Sequence, residues 1–512
     1  MANKTILRGT LILLAAGLFT RVLGFFYRLA LSRIIGAQGM GLIQMVIPVL
    51  VLGVSIATAG IPVAVSKMVA ERVAQGRRRE IGPILRAALA LAMGAAALFA
   101  LALLTLAKPI ADNLLPDPRA HLSLLFLVPA IIAISISAVF RGYFQGLQQM
   151  TAPAGAQIVE QLVRLAAVFL ILPFFLPLGS GYAAAGAVAG LTAGEVAGLA
   201  VLLLFYHAKP PRAAFSVPAA KFNPNPSDPS PHATWEIISV SLPITVTRLV
   251  SSLAEILDVV IIPRRLEAAG FSRDQSTAFF GVLSGMAVPL IFFPTVLTFS
   301  LSSALVPAIA EAAALNDLET VKRRSAQALH FTILIGLPVS TTFLILGHPL
   351  GLLFYGSRQV GDFLRILALA SPFLYLEQTL TAVFRGLGLA TVPMLNSLAG
   401  SALRLAVIYF GTLTFGVQTV LWAVVFDLTL CFALNYRSLG KHLGVLPGMF
   451  RNAAAALVAS AVLGLVLQIV YRRFLPLGQL PACLLAMGIG GIAYLLGIWF
   501  SGTMPPLGVF KK

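Results

Sequence analysis

The chain carries, from Ile6 to Ile35, the stretch ILRGTLILLAAGLFTRVLGFFYRLALSRII. This stretch is long enough to cross the hydrocarbon core of a bilayer, which takes about 20 apolar residues. Arg21 and Arg28 nevertheless lie inside it, and it contains no acidic residue. An arginine at the centre of a membrane helix costs about 2.5–3.5 kcal/mol on insertion scales, so such residues face a bundle interior or an aqueous cavity. The stretch therefore predicts a membrane helix that presents cations to a cavity, where an anion would be stabilised.

The composition places the whole chain in the membrane class. Its 512 residues are 59% hydrophobic and 11% charged, whereas soluble domains are about 45–50% apolar and about 25% charged. The net charge is +18, but the basic residues lie at the ends of apolar segments and inside them, which argues against a nucleic-acid partner. Cys431 and Cys483 lie in apolar segments and are interpreted as buried small hydrophobes, not as a disulfide or a metal pair.

Apolar runs predict an all-α integral membrane fold with about fourteen spans. The predicted spans are 10–33, 41–65, 83–107, 122–146, 153–176, 183–206, 236–262, 278–305, 328–347, 363–387, 391–413, 419–437, 451–470 and 480–500. The first run is interpreted as a retained span and not as a signal peptide, because arginines interrupt it. The proline-rich segment 207–235 cannot form a helix and is predicted to be a cytoplasmic linker. We therefore expect an N-terminal lobe at 1–206, a C-terminal lobe at 236–437, and two further helices with a cytoplasmic tail at 438–512.

Basic residues collect mainly at one side of the predicted spans. They follow the second, sixth, eighth and twelfth spans and end the chain, at Lys67, Arg77–Arg79, Lys209, Lys322–Arg324, Lys441 and Lys511–Lys512. Because cytoplasmic loops of membrane proteins are enriched in lysine and arginine, this distribution predicts that both termini are cytoplasmic.

The two halves of the chain share short motifs at matching places. Ala138–Gly142 at the end of the fourth span and Ala382–Gly386 at the end of the tenth both read AVFRG. Arg164 and Arg404 each begin the tripeptide RLA shortly afterwards. Six spans in each half give both halves one orientation, which predicts a parallel repeat with a substrate site between the lobes near the membrane midplane.

Five intramembrane arginines are the candidate anion ligands, and three acids are candidates for charge balance or coupling. The arginines are Arg21, Arg28, Arg164, Arg248 and Arg404, and the acids are Glu160, Glu255 and Asp258. Glu160 and Arg164 have the i,i+4 spacing at which a helix closes its own ion pair, so we expect a neutralised pair there. Gly400 occupies the matching position before Arg404, which must find another acid, a backbone carbonyl or a substrate.

Glu255 and Asp258 leave two interpretations open. They share a helix face and could neutralise arginines of the first span across the lumen. Alternatively, they bind a coupling cation or a proton, as intramembrane carboxylates often do. Enzyme signatures such as a P-loop, a Gly-x-Ser-x-Gly turn or a metal-spaced His/Cys cluster do not occur. We therefore expect no enzyme and no cofactor.

Several motifs make the chain resemble the stage V sporulation protein B family. They are Thr20–Arg28 (TRVLGFFYR), Gly60–Lys67 (GIPVAVSK), Arg141–Gly146 (RGYFQG), Glu160–Arg164 (EQLVR) and Ile262–Leu266 (IPRRL). The family belongs to the polysaccharide branch of the multidrug/oligosaccharidyl-lipid/polysaccharide exporters, alongside lipid II flippases. The motifs occur in both halves, so the resemblance covers essentially the whole chain.

The resemblance implies a two-lobed bundle in the cytoplasmic membrane that moves undecaprenyl-pyrophosphate-linked glycans by alternating access, in spore cortex or cell-wall synthesis. Arg21 and Arg28 match first-helix arginines that engage the pyrophosphate in related flippases. The last two helices would form a groove for the lipid tail. The lipid bilayer and the lipid-linked glycan are the expected partners, and cell-wall synthesis enzymes are further candidates.

Two other functions remain candidates. A multidrug/cation antiporter of the same fold would bind cationic drugs, and acids should then outnumber arginines in the lumen. The first, fifth and eleventh spans show the reverse, and the seventh span is the exception. A non-transporting membrane scaffold for cell-wall enzymes would not need arginines at mid-depth on several helices.

Overall fold

The computed structural model is predominantly helical in the residues it describes, which are 2–58, 60–208, 233–444 and 449–502. No β-strand occurs among them, and the predicted all-α class is confirmed. The chain divides into two compact units: Met1–Pro263 with Arg273–Gly281, and Arg264–Ser272 with Val282–Lys512. The predicted proline-rich linker lies almost entirely outside the described residues, and the predicted lobe boundaries stay a prediction.

Seventeen α-helices occur in the described ranges. The first eight are α1 (Ala2–Thr58), α2 (Ile61–Ala74), α3 (Ile81–Pro109), α4 (His121–Gly146), α5 (Thr151–Phe175), α6 (Ser180–Ala208), α7 (Ala233–Ala268) and α8 (Arg273–Phe280). The others are α9 (Val288–Phe292), α10 (Thr295–Ala314), α11 (Leu318–Tyr355), α12 (Arg358–Ala368), α13 (Ser371–Gly386), α14 (Thr391–Phe415), α15 (Gln418–Leu443), α16 (Met449–Phe474) and α17 (Gln479–Phe500). A π-helical segment, Gly281–Ala287, joins α8 to α9.

Twelve helical segments of the described chain are long and apolar enough to cross a membrane, and the bent pair α12–α13 would make thirteen. The count of thirteen differs from the fourteen predicted spans for three reasons. The first two predicted spans run together into one segment, 15–74, and the eighth divides into 273–292 and 295–314. The seventh, α7, is not among the twelve, and it carries Arg248, Glu255 and Asp258 within its 36 residues.

Glycine and proline determine where the long helices bend. Gly36 interrupts α1 with a φ of 69°, a left-handed conformation that favours glycine because it has no Cβ. Pro294 precedes α10, and Pro372 lies in the first turn of α13, where α12 and α13 meet at an angle of 56°. The first residues of a helix donate no hydrogen bond within the helix, so a proline there removes none. These two breaks therefore have a low free-energy cost.

A glycine stripe on α6 brings this helix close to α5 in the first unit. A Cβ added at Gly190 would lie 2.6 Å from Val168 Cγ2, and one at Gly194 would lie 2.7 Å from the carbonyl oxygen of Glu160. Real Cβ atoms do not approach other atoms this closely. The small residues therefore permit a backbone approach that a larger side chain would prevent, as in small-xxx-small membrane interfaces.

We predict that Gly194→Ala destabilises the protein by about 1–3 kcal/mol, because its methyl group overlaps the α5 backbone, which cannot move aside locally. Gly94→Ala on α3 is the matched control, because a Cβ there meets nothing within 4 Å. The control should be neutral or slightly stabilising through its higher helix propensity. Thermal unfolding of both variants in detergent checks this; equal melting temperatures would contradict the close α5–α6 packing.

A buried carboxylate anchors the start of α8 within the first unit. Asp117, between α3 and α4, has a fully buried side chain that accepts a 2.6 Å hydrogen bond from Arg119 Nη2. Thr277 of α8 donates to the same carboxylate at 3.0 Å, and Arg119 also reaches Asp274 of α8 at 2.6 Å. Two elements that are more than 150 residues apart in sequence are thus joined through one guanidinium.

This network makes part of the stability depend on pH. Burial alone would raise the pKa of Asp117, but the hydrogen bonds from Arg119 and Thr277 together hold its pKa below the usual value. A carboxyl whose pKa is lowered on folding contributes stability above its unfolded pKa of about 3.9 and loses that contribution as the pH falls through the folded pKa.

We therefore expect Asp117→Asn to lower stability at pH 7 by about 1–3 kcal/mol, since it weakens a charge-assisted hydrogen-bond network. The difference from wild type should shrink as the pH falls from 4 to 2. Melting temperatures of both proteins across pH 2–7 measure it, and a difference that is independent of pH would contradict the ionised Asp117–Arg119 pair.

Candidate functional site

Two arginines and two glutamates form a cluster among α4, α5 and α6 of the first unit. Arg164 Nη2 lies 2.8 Å from Glu160 Oε1 and 2.6 Å from Glu195 Oε1. Arg141 Nη2 lies 2.8 Å from the other oxygen, Glu160 Oε2. The predicted i,i+4 pair is formed, and it is part of a larger cluster in which positive and negative charges balance.

The glycine stripe explains how Glu195 reaches this cluster. Glu195 is 8% exposed and directly follows Gly194, whose missing side chain lets the α6 backbone approach Glu160 and Arg164. Gly198, one turn further on, faces Glu160 Cβ. A buried charge is tolerated only where its partner is close and well oriented, and the close α5–α6 packing supplies that partner.

Arg404 of the second unit is also paired. Arg164 pairs with Glu160 of its own helix, whereas the acid that pairs with Arg404 comes from another helix. Its Nη1 lies 3.3 Å from Asp427 Oδ2 on α15. Of the three partners that the sequence left open, which were an acid, a backbone carbonyl and a substrate, the structure shows an acid. Gly400 leaves the space that Asp427 occupies, since a Cβ there would lie 2.5 Å from Asp427 Oδ1. Cys431 donates its thiol to that same oxygen at 3.3 Å.

A further polar network in the second unit surrounds Glu377 of α13. Thr381 donates to Glu377 Oε1 at 2.8 Å, and Asn435 approaches the same oxygen at 3.5 Å. Asn396 of α14 in turn donates to Asn435 at 2.8 Å. Among the described residues, no group of three or more His, Cys, Asp or Glu side chains is placed to hold a metal ion.

Arg21 and Arg28 project from α1 with exposed side chains. Seven residues separate them, so they lie on nearly the same helix face and about 10 Å apart along the axis. The first acidic residue of the chain is Glu71, so α1 carries these cations without an acid of its own. Tyr27, beside Arg28, is in electrostatic range of both Arg28 and Arg164, which places this face of α1 next to the α5 cluster.

The candidate residues of α7 differ in exposure. Arg248 and Glu255 are exposed, and Asp258 is partly buried. The predicted neutralisation of first-span arginines by Glu255 and Asp258 stays a prediction, as does the alternative of a coupling site.

Comparison with known families identifies the relationship. The family model described as "Polysaccharide biosynthesis protein" matches residues 6–313, and the MatE model matches residues 282–410. Stage V sporulation protein B of Bacillus subtilis (strain 168) is 34% identical over 87% of this chain and 85% of its own length. The chain belongs to the stage V sporulation protein B family.

More distant relatives share the fold of this family. Lipid II flippase MurJ of Bacillus subtilis (strain 168) is 24% identical over 97% of this chain and 95% of its own. The structure of a lipid II flippase MurJ in an inward closed conformation superposes with a TM-score of 0.70 at 14% identity, covering 95% of this chain and 98% of that one. A multidrug resistance MATE family transporter of the MOP superfamily gives a TM-score of 0.62 at 16% identity, over 83% and 95% of the two chains. The family member described here is thus a multi-pass membrane protein with a MOP transporter fold.

Sequence reasoning assigned Glu195 and Asp427 no specific role, and it treated Arg141 only as part of the repeat. The structure places all three in the charge clusters. The glycine pattern is a signal that could have found Glu195, because an acid beside a close-packing stripe faces the neighbouring helix. For Asp427, the corresponding signal is Gly400, which leaves Arg404 without the acid that Arg164 has four residues earlier.

We predict that Arg164→Met destabilises the protein by about 3–5 kcal/mol, because Glu195 stays buried but loses the α5 cation with which it pairs. Adding Glu195→Met should restore at least half of the loss. Lys67→Met is the control, since the Lys67–Glu71 pair is 3.9 Å apart and 60% and 40% exposed and should contribute less than about 1 kcal/mol. Chemical unfolding in detergent measures all three; a double variant no more stable than Arg164→Met would contradict the role of the pair.

Proposed function

We propose that this protein is a flippase that moves undecaprenyl-pyrophosphate-linked sugars across the cytoplasmic membrane by alternating access, in spore cortex or cell-wall synthesis. Both termini would be cytoplasmic. The observation that carries the proposal is the pair of exposed arginines, Arg21 and Arg28, on one face of an acid-free membrane helix. Its support from the comparisons is the relationship to a lipid II flippase over nearly the whole chain.

The state of each arginine suggests its role in this proposal. Arg164 and Arg404 are balanced by buried acids, so we assign them to shaping and neutralising the walls of the substrate path. Arg21 and Arg28 have exposed side chains, so a diphosphate can reach their guanidinium groups. Arg248, exposed on α7, is a third candidate ligand of the anionic headgroup, and Glu255 and Asp258 remain candidates for charge balance or coupling.

Charge-assisted hydrogen bonds between arginine and phosphate are among the strongest that a protein makes. Two arginines about 10 Å apart in depth would let the pyrophosphate pass from one cation to the next. A ligand that binds a single arginine would gain binding energy, but it would have no second cation to move to. The spacing therefore suits a transported anion better than a permanently bound one.

Flipping in proteoliposomes tests the proposal. A fluorescent undecaprenyl-pyrophosphate glycan is incorporated, and the exposure of its headgroup to an impermeant quencher is followed over time. We expect wild-type transport and at least a tenfold lower rate for Arg21→Ala and for Arg28→Ala, since each loses an ionic contact worth about 1.5–3 kcal/mol.

Arg472→Ala, an exposed arginine near the end of α16, is the matched control and should transport at the wild-type rate. Transport that survives both α1 changes would refute the assignment of the pyrophosphate to Arg21 and Arg28. No wild-type transport under any imposed ion gradient or membrane potential would refute the flippase proposal, and would favour drug export or a scaffold.

A further inference from the structure

Gln161 of α5 is a largely buried residue that lies where α5 meets α1. It is 7% exposed, and its amide makes no hydrogen bond with the described part of the chain. An amide that makes no hydrogen bond to the protein can donate hydrogen bonds to a ligand and accept them from it.

The amide points towards α1 at the place where that helix has no side chain. Gln161 Nε2 lies 3.6 Å from the position of a Cβ on Gly24. Gly24 lies between Arg21 and Arg28 in sequence. A glycine here leaves open the space in front of the amide, which any side chain longer than alanine would begin to fill.

Tyr27 supplies a second unused group at the same junction. The tyrosine lies three residues after Gly24, as Arg164 lies three residues after Gln161. Tyr27 is partly buried, in electrostatic range of Arg28 and Arg164, and its hydroxyl makes no hydrogen bond with any described residue. The Nε of Arg164 is also buried without a hydrogen-bond partner there. The Gln161 amide, the Tyr27 hydroxyl and the buried Nε of Arg164 are thus three polar groups along this α1–α5 contact that a ligand could engage.

We infer that Tyr27 and Gln161 form a subsite for the sugar that is attached to the pyrophosphate. A phenol and a primary amide both donate and accept hydrogen bonds. They therefore suit sugar hydroxyls and an N-acetyl amide, whereas a diphosphate needs donors only. Gly24 and Arg28 are four residues apart, about 6 Å along the helix, so a phosphate on Arg28 would place the adjoining sugar near Gln161.

This inference rests on the proposed function, and the test compares two lipids that differ only in the sugar. Affinities of the detergent-solubilised full chain are measured for undecaprenyl pyrophosphate and for the same lipid carrying an N-acetyl sugar. The variants are Tyr27→Phe, which removes only the hydroxyl, and Gln161→Met, which keeps the length and removes the amide. Tyr182→Phe, on an exposed tyrosine of α6, is the control.

Each of the two variants should weaken binding of the sugar-bearing lipid about threefold to tenfold, the value of one neutral hydrogen bond. Their affinity for the sugarless lipid should stay within twofold of wild type, as should both affinities of Tyr182→Phe. Gln161→Asn, a shorter amide, provides a second variant should Gln161→Met not fold.

Three outcomes would overturn the inference. Equal losses of affinity for both lipids would mean that the two residues support the structure of the site and do not bind the sugar. Unchanged affinities for both lipids, with wild type binding both, would refute the subsite and leave the flippase proposal intact. Binding of neither lipid by wild type would refute the proposed function and the subsite with it.

Discussion

A guanidinium inside a membrane helix must find an anion before the helix can be stably buried, and this requirement organises the first unit. Arg164 satisfies it with two glutamates, one from its own helix and one from α6. The second partner is reachable only because glycines at α6 positions 190, 194 and 198 face α5. Helix packing and charge balance are therefore a single arrangement. A larger residue in the stripe would separate the backbones and would also withdraw Glu195 from the arginine.

The two halves of the chain meet the same requirement with different residues. In the first unit, Glu160 supplies an acid within α5, and Glu195 adds a second from the following helix. In the second unit, Gly400 takes the place of the in-helix acid, and Asp427 of the following helix pairs with the arginine. The arginine is retained in both halves while its partner changes. This suggests that the duplicated feature is a cation at this depth, and that each half has found its own way to neutralise it.

The sequence predicts the helical membrane fold well, because a run of 20 apolar residues has few other stable structures in a membrane. It predicts breaks less well. The first two predicted spans are separated in the structure only by the kink at Gly36, and the eighth divides at Pro294, immediately before α10. Among the site residues, the local pair Glu160–Arg164 follows from spacing alone. Glu195 and Asp427 come from other helices, so only packing reveals that they face Arg164 and Arg404.

The difference between buried and exposed arginines also bears on which ligands such a protein could select. An anion that binds Arg164 must displace two carboxylates and leave them buried without that cation. The free-energy cost of doing so exceeds the binding free energy that most ligands would gain. Arg21 and Arg28 of α1 have exposed side chains, so an anion can approach them directly. Two such arginines on one helix face favour a ligand with several negative oxygens close together, since a single carboxylate can use only one of them at a time. The buried pairs then contribute indirectly, because Arg164 and Arg404 are already neutralised by acids and add little net charge to the surroundings of a ligand.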